Sequence, residues 1–491
     1  MTRTPVIVGV GEITHREKDP ALGLEPLVLM AQALRAAATD AGIAVTAVDS
    51  LDVVCEHSWP YDDVCGRLSA WLGMTPRHRA YAPAGGESPV RLIHEAALRI
   101  ARGESDVAVV VGAEAGHTVA AARKARLALP WTPRDPNARL LKGSDLCHPV
   151  AVAHGVTTPT TVYPFYENAT LAAWGQTPRE AMADAAALWS RCSEVAEQNP
   201  HAWSRQRFSP DDVATPSDRN RLIAWPYTLR QVANPMVNMG AAVLLTHAAH
   251  ARALGIPEDR MVPVRGGARA NEAPDFLDRP DYRGSAAQDA VLSALGERAG
   301  PFDLQELYSC FPVVPKMARR TLRLDPAAPT TATGGLSFFG APLNNYMTHA
   351  AAALVRALRE RPGQRALLYG QGEYVTKHHA LVLGRGTAFL DDEPAAQQTA
   401  DAARGPVPDL VLDHAGDAAL ETFTVVYDRD GHPEAGVVIA LTPGGQRLMA
   451  RVPPEDTAAL ATLTHLDRSP VGRRGRTAPA PDSLLRWTFE P

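Results

Sequence analysis

Short apolar runs alternate with longer segments in which apolar residues recur every three or four positions, and this alternation organises the first 115 residues. Residues 6–10 read as a strand, 26–40 as a helix rich in Ala and Leu, and 50–55 as a second strand. A helix over 89–102 places Val90, Ile93, Ala97 and Ile100 on one face, and residues 106–112 (Asp-Val-Ala-Val-Val-Val-Gly) form a nearly continuous apolar run. Alternating strand and helix predicts α/β layers, and an uninterrupted apolar strand is one covered on both faces. From about 118 to 230 the rhythm is lost in sequence rich in Pro, Trp, Arg and Asn, with one clear helix near 178–197. Such a stretch reads as a long excursion packed over a scaffold, of the kind that carries function.

The α/β rhythm returns at 240–245, passes through a helix ending near 254, and gives strands at 262–266, 304–308, 366–369 and 380–384. Residues 391–408, acidic and rich in Ala, Gln and Pro, read as a linker. Beyond them 421–427 and 435–441 flank Asp428-Arg-Asp-Gly431 and read as a β-hairpin, so the tail is expected to be a small β-rich module. The expected divisions are 1–255, with the excursion inside it, then 256–390 and 391–491.

Composition narrows the function classes. The 491 residues predict about three structural units. With 49 basic and 54 acidic side chains, a net charge of −5 argues against a nucleic-acid protein with a wholly basic surface. The five cysteines (55, 65, 147, 192 and 310) form no CxxC pair and no zinc spacing, so no metal is expected and a reducing compartment, the cytoplasm, is. No run approaches the roughly 20 apolar residues of a membrane helix, and the first apolar run is ended by Glu12 too soon for a secretion signal.

Common motifs fail on inspection. Gly9-Val-Gly11 begins a dinucleotide fingerprint, but Thr14 stands where the third glycine belongs. Gly86-Glu-Ser88-Pro-Val90 approaches a nucleophile elbow, yet Val90 breaks it, and Ser88 before Pro89 fits a helix cap. Cys147-His148 are neighbours in sequence, whereas a nucleophile and its base are brought together by the fold, so an incidental cysteine is expected.

Several segments, in order, resemble the thiolase superfamily, in particular the sterol-carrier-protein type of thiolase and thiolase-like protein type 1. They are Arg102-Gly-Glu-Ser-Asp-Val-Ala-Val-Val-Val-Gly-Ala-Glu114, Gln198-Asn-Pro-His-Ala202, Asn234-Pro-Met-Val-Asn-Met-Gly-Ala-Ala242, Glu306-Leu-Tyr-Ser-Cys-Phe311, Gly334-Gly-Leu-Ser-Phe-Phe-Gly-Ala-Pro342 and Gly370-Gln-Gly-Glu-Tyr-Val-Thr-Lys-His378. The resemblance spans about residues 4–390. It implies a five-layered αβαβα fold of two similar halves, a loop domain at about 118–230, and a CoA thioester as ligand with no permanently bound cofactor. The superfamily includes acetyl-CoA acetyltransferases of lipid metabolism, usually dimers or tetramers; a tail packed on the scaffold could block the usual interface, so the expectation is a monomer or a homodimer. The tail resembles the additional C-terminal domain of thiolase-like protein type 1, a small β-barrel-like module able to dock a protein partner. Its short cluster Arg473, Arg474 and Arg476 reads as a solvated or scaffold-packing face rather than a nucleic-acid site.

Thiolase chemistry needs a thiolate at a helix N-terminus, where the dipole and backbone N–H groups stabilise the anion and the acyl-enzyme forms. By the resemblance that position is Gly86, the histidine of the family's His-Pro segment falls on Ala341, and the oxyanion-holding histidine falls on Tyr308. The acid/base cysteine of the last loop is missing from Tyr369-Gly-Gln-Gly-Glu373, so none of the five cysteines stands where a thiolase needs one. Tyr308 remains as a phenol able to donate to an oxyanion, with Tyr346, Glu373, Lys377, His378 and His349 in or near the implied pocket. The expectation is a protein of the acetyl-CoA acetyltransferase family that performs acyl-transfer or carbon–carbon chemistry without an acyl-cysteine. Tyr308 would be donor or acid, and His378 or Glu373 the base. The alternatives are a retro-aldolase using Tyr308 and Tyr346, and a non-catalytic scaffold.

Overall fold

The computed structural model describes residues 3–390, 394–481 and 483–490. In chain order its strands are β1 (Pro5–Thr14), β2 (Ser50–Val53), β3 (His78–Tyr81), β4 (Val107–Ala115), β5 (Leu222–Ala224), β6 (Tyr227–Thr228), β7 (Asn238–His247) and β8 (Val262–Asn271). They continue as β9 (Leu304–Leu307), β10 (Arg365–Gly372), β11 (Lys377–Gly384), β12 (Gly416–Tyr427), β13 (Pro433–Leu441), β14 (Arg447–Val452), β15 (Arg474–Pro479) and β16 (Leu485–Phe489).

Nine strands form one sheet in the order β3-β2-β4-β7-β1-β8-β11-β10-β9. Its two parts meet at β1 and β8, where Val6 faces Pro263 and Ile7 faces Val262. The helix Pro26–Ala41 covers β1, β4 and β7, and the helix Ala286–Ala299 covers β8 and β11. Between the two parts lie the helices Ser88–Arg102 and Tyr346–Glu360, each touching strands of both. The layers are therefore helix, sheet, paired helices, sheet, helix, the five-layered order that the resemblance implies. Every residue of β4 is buried, as its apolar run predicts, because both faces are covered.

The central position of Ser88–Arg102 explains why its burial exceeds one stripe. Val90, Ile93, Ala97 and Ile100 are buried, and so are Leu92, His94, Ala96 and Leu98. Gly9 and Gly11 have a packing reason in place of a nucleotide: Cβ atoms there would come within 2.2 Å of the Ala37 carbonyl and 2.1 Å of the Ala33 carbonyl. Glycine lets β1 lie directly on the helix Pro26–Ala41.

The tail builds a second sheet, order β13-β14-β16-β15-β12-β5-β6, in which β12 also pairs with β13. Five strands thus close on themselves around Leu420, Phe423, Val425, Val438, Leu448 and Trp487, matching the expected β-rich module. β5 and β6 reach this sheet from the excursion, Ala224 facing Val426. The module packs on the helix Pro159–Ala173, with Asn168 Nδ2 donating to the Phe423 carbonyl (2.9 Å) and Thr422 Oγ1 to the Phe165 carbonyl (2.6 Å). Of the segment read as a linker, 391–393 lie outside the described residues. Pro394–Ala403 is a helix against Ala286–Ala299 and β8, with Ala396 and Ala400 buried; its alanines serve packing, which composition did not reveal. Among the described residues no helix is long and apolar enough to cross a membrane.

Candidate active site

A cavity of about 510 Å³ opens where the turn before the helix Ser88–Arg102 meets the end of β10 and the segments that follow β9. Gly85, Gly86, Tyr308, Cys310, Ala341 and Glu373 are among its lining residues, with Lys142, Thr158 and Tyr163 from the excursion closing the far wall. The long irregular stretch thus supplies one side of the cavity and the α/β scaffold the other.

Gly86 is not merely an empty nucleophile position. A Cβ there would lie 2.3 Å from the Tyr308 hydroxyl oxygen and 2.5 Å from the Gln371 carbonyl oxygen. The phenol occupies the space a nucleophile's side chain would need. Gly86→Ala is expected to destabilise the fold by about 1–3 kcal/mol through overpacking, read as a lower denaturation midpoint, because the Gln371 carbonyl belongs to a paired strand and yields little. An unchanged midpoint would mean that Tyr308 stands elsewhere.

Burial, followed by the nearby Cys310 and the negative charge of Glu87, holds the Tyr308 hydroxyl well above the usual phenol range, so it is a proton donor and not a base. No described group hydrogen-bonds to that hydroxyl. Cys310, two residues on, also lines the cavity, and burial pushes its thiol up to about 12, which keeps it protonated. Sequence reasoning assigned it no role; its place two residues beyond Tyr308 was the available signal. Asn344 was also missed. Its Oδ1 accepts from the Gly85 amide (2.9 Å) and its Nδ2 donates to the Cys55 carbonyl (2.9 Å), fixing the turn beside the cavity.

Of the other expected site residues only Glu373 faces the cavity. It pairs with Lys377, accepts from Thr376 Oγ1 (3.1 Å), and has a left-handed backbone, φ 55°. Lys377 Nζ also reaches the Ala84 carbonyl (3.2 Å), tying this loop to the turn at Gly86. Tyr346 does not line the cavity; its hydroxyl donates to Glu306 Oε1 (2.6 Å) and lies 2.6 Å from Thr333 Oγ1, while its ring packs edge-on to Tyr308 at 6.0 Å. His378 is buried and is not among the residues lining the cavity. Its Nδ1 is 2.8 Å from the Tyr369 hydroxyl and its Nε2 3.2 Å from Ser285 Oγ, and burial pulls its pKa down to about 4. His349 is likewise buried, with Nδ1 2.7 Å from Glu12 Oε1. Both histidines are structural groups packed against carboxylates or hydroxyls, not bases within the cavity.

Two local motifs resolve differently from their sequence reading. The helix starts at Ser88 itself with Glu87 at the cap position, so Ser88 Oγ is buried without a partner and caps nothing. Cys147 Sγ lies 3.1 Å from the Gly143 carbonyl, and His148 Nδ1 accepts from the Val150 amide, so the two form no nucleophile–base pair. As for metals, Asp106, His247 and His250 bring ligand atoms within 4.8 Å of one another at the opposite end of β4 and β7, and Arg3 already pairs with Asp106.

Glu87 carries the main pH consequence. Burial raises its carboxyl from 4.5 to about 7, and Oε2 is buried without a partner. The folded state therefore holds this proton more tightly than the unfolded chain. The stability it contributes is full below about pH 4.5 and is lost as pH rises through about 7. Glu114 and Glu306, raised to about 7 by burial, act in the same sense. Glu12, lowered to about 2 by His349 and Arg356 against its burial, acts in the opposite sense below pH 4.5. Glu87→Gln is expected to flatten the fall in denaturation midpoint between pH 4.5 and 7; an unaltered slope would assign that fall to the other carboxyls.

The comparisons agree with this geometry. Residues 397–479 match the family model of the thiolase-like protein type 1 additional C-terminal domain. Across 100% of both chains the structure is similar to a monomeric SCP2-thiolase like protein type 1 from Mycobacterium smegmatis, with 28% identity and a TM-score of 0.83. The fold is shared with the Ltp2-ChsH2(DUF35) aldolase (18% identity, 78% of this chain and 98% of that one, TM-score 0.60). It is shared too with human mitochondrial 3-ketoacyl-CoA thiolase in complex with CoA (14% identity, 78% and 98%, TM-score 0.57). No curated protein matches the chain. With its five layers, its full-length likeness and its matched tail, the chain belongs to the thiolase superfamily as a thiolase-like protein of type 1.

Proposed function

We propose that the protein binds an acyl-CoA, or a related thioester, in the 510 Å³ cavity and performs acyl-transfer or carbon–carbon chemistry with no acyl-cysteine intermediate. The observation that supports this most is the Tyr308 hydroxyl standing against Gly86, where a thiolase would carry its nucleophile. A neutral, buried phenol in a largely apolar site donates to the thioester carbonyl oxygen and stabilises the negative charge that develops there. Glu373 is the carboxylate placed to accept a proton, and Lys377 is paired with it. His378 has no part in this, since it lies outside the cavity.

A carbon–carbon cleavage fits these groups without a covalent step. A β-hydroxyacyl thioester would lose its hydroxyl proton to Glu373 and break the Cα–Cβ bond; the electron pair would pass to the thioester enolate, its oxygen bonded by Tyr308, and Cα would then take a proton. This keeps the retro-aldolase reading while removing Tyr346 from it, because that hydroxyl is committed to Glu306. The fold shared with an aldolase favours this reading, and the fold shared with a CoA-bound thiolase favours the ligand. We further infer a monomer, as the M. smegmatis relative is, acting in cytoplasmic lipid metabolism.

The test is turnover of a panel of acyl-CoA and β-hydroxyacyl-CoA substrates by wild type and Tyr308→Phe. Turnover by wild type that falls in the variant supports the proposal. Wild type indistinguishable from buffer would leave the scaffold reading in its place.

A further inference from the structure

Beside the thioester cavity lies an open pocket of about 660 Å³ that shares His57, Pro235 and Leu343 with it. The helix Gly116–Ala125 brings Arg123 and Lys124 to its wall, and the segment that follows brings Arg134. These three cations line the pocket with no carboxylate among the described lining residues. Between residues 118 and 142 the basic side chains are Arg123, Lys124, Arg126, Arg134, Arg139 and Lys142, and Asp135 is the sole acid. The chain as a whole carries −5, so this positive face is a local feature of an acidic protein.

The cations are held differently. Arg134 is fixed: Nη2 donates to the Ser58 carbonyl (2.9 Å), and the guanidinium lies 4.0 Å over the Trp59 ring, itself edge-on to Trp131 at 4.9 Å. Arg123 and Lys124 are exposed, and their side chains bond to no described group. The nearby carboxylates are engaged elsewhere. Glu114 is buried and accepts from the amides of His57 (2.7 Å) and Ser58 (2.8 Å). Asp135 accepts from the Asn137 amide (2.8 Å) and lines an adjoining pocket with Asp62 and Asp63. Of those two, Asp62 pairs with Arg67 and Asp63 caps the helix Val64–Leu72.

Apolar side chains are interleaved with these charges. In this pocket Met236 is 45% exposed and Leu343 36%, and Leu141, 39% exposed, lines the cavity together with Lys142. Leu343 stands there on a left-handed backbone, φ 43°, a conformation unfavourable for a branched side chain. A small phosphorylated ligand gains little from exposed leucine and methionine, whereas a protein face buries them. We propose that this rim docks a small acidic carrier protein that presents its acyl thioester to the cavity on a phosphopantetheine arm. CoA contains the same arm, so the inference rests on the cavity's holding a thioester and names what carries it. Unpaired cations around one fixed cation steer an acidic partner and set its approach, and the apolar residues supply contact once water is expelled.

Biolayer interferometry on the full chain tests the proposal, with a purified acidic acyl carrier protein as probe in its apo form and in its acetylated holo form. Both forms are expected to bind saturably, the acetylated one more tightly, with affinity falling as salt rises. Arg123→Glu/Lys124→Glu should weaken both by about tenfold, and Arg134→Gln by about threefold, the second variant leaving the end of the helix Gly116–Ala125 unaltered. Arg468→Glu, which reverses an exposed charge in the C-terminal module, and Tyr308→Phe should bind the apo carrier as wild type does. Apo docking engages no group in the cavity, so docking without turnover of any thioester would count against the chemistry and uphold the surface. No binding of either form by wild type, equal binding by both rim variants, or an equal loss in Arg468→Glu would each overturn the proposal. So would acyl-CoA affinity that falls in the rim variants while neither carrier form binds, since the cations would then serve the CoA nucleotide.

Discussion

Replacing Arg447 by methionine is expected to cost about 3–5 kcal/mol of stability, the range for breaking a buried ion pair from one side. The Arg447 side chain is wholly buried in β14. It forks onto Glu421 through Nε and Nη2 (2.9 and 2.8 Å) and donates to the carbonyls of Leu277 (2.7 Å), Arg279 (2.5 Å) and Pro280 (3.0 Å). One side chain thus joins the C-terminal barrel to a segment of the second half. Methionine would leave Glu421 without its forked cation and take the Arg447 donors from three carbonyls. The segment it holds also carries Arg279, whose Nη1 bonds the carbonyls of Tyr374 and Val375 behind the cavity wall. Weaker ligand binding should therefore accompany the lower urea midpoint. Arg476→Ala, which removes one exposed partner of Asp417, is the control and should move the midpoint by less than about 0.5 kcal/mol. Equal effects from the two would show that the barrel is not clasped by Arg447.

Tyr308→Phe is expected to lower kcat by about 10²–10³ while leaving thioester affinity nearly unchanged, the behaviour of a donor that acts on charge formed in the transition state. The phenylalanine ring keeps the packing against Tyr346 and the filled space beside Gly86, so the variant isolates the hydroxyl. A fall in affinity with kcat unchanged would make Tyr308 a binding group only. A fall in kcat produced equally by Cys310→Ala would shift the acid role to the thiol in the same wall.

Much of the scaffold was legible because its strands are buried on both faces and its helices repeat apolar residues in step with their turns. The run that became Val107–Ala115 and the helix Ser88–Arg102 are the clearest cases. The site was legible only at positions fixed by the backbone, such as Gly86, Ala341 and Tyr308. What a side chain meets across the fold was not. Gln371 and His378 are direct partners across β10 and β11, yet one reaches the cavity edge and the other turns to Tyr369 and Ser285. Local sequence carries no signal for that choice. Tyr346 was misplaced for a similar reason: Glu306, forty positions earlier, takes its hydroxyl. β5 and β6 could not be assigned to the C-terminal sheet in advance, since Val426, which pairs with β5, lies about two hundred residues further along the chain and β6 joins through β5.

The central claim is that a thioester is held with its carbonyl oxygen at the Tyr308 hydroxyl and never becomes covalently attached. A crystal structure with bound acyl-CoA, read for density beside Gly86 and Tyr308, tests it most directly. The predicted result is an intact thioester in the cavity with its oxygen within hydrogen-bond distance of Tyr308. Density continuous with Cys310, or an acyl-CoA bound away from Gly86, would contradict it.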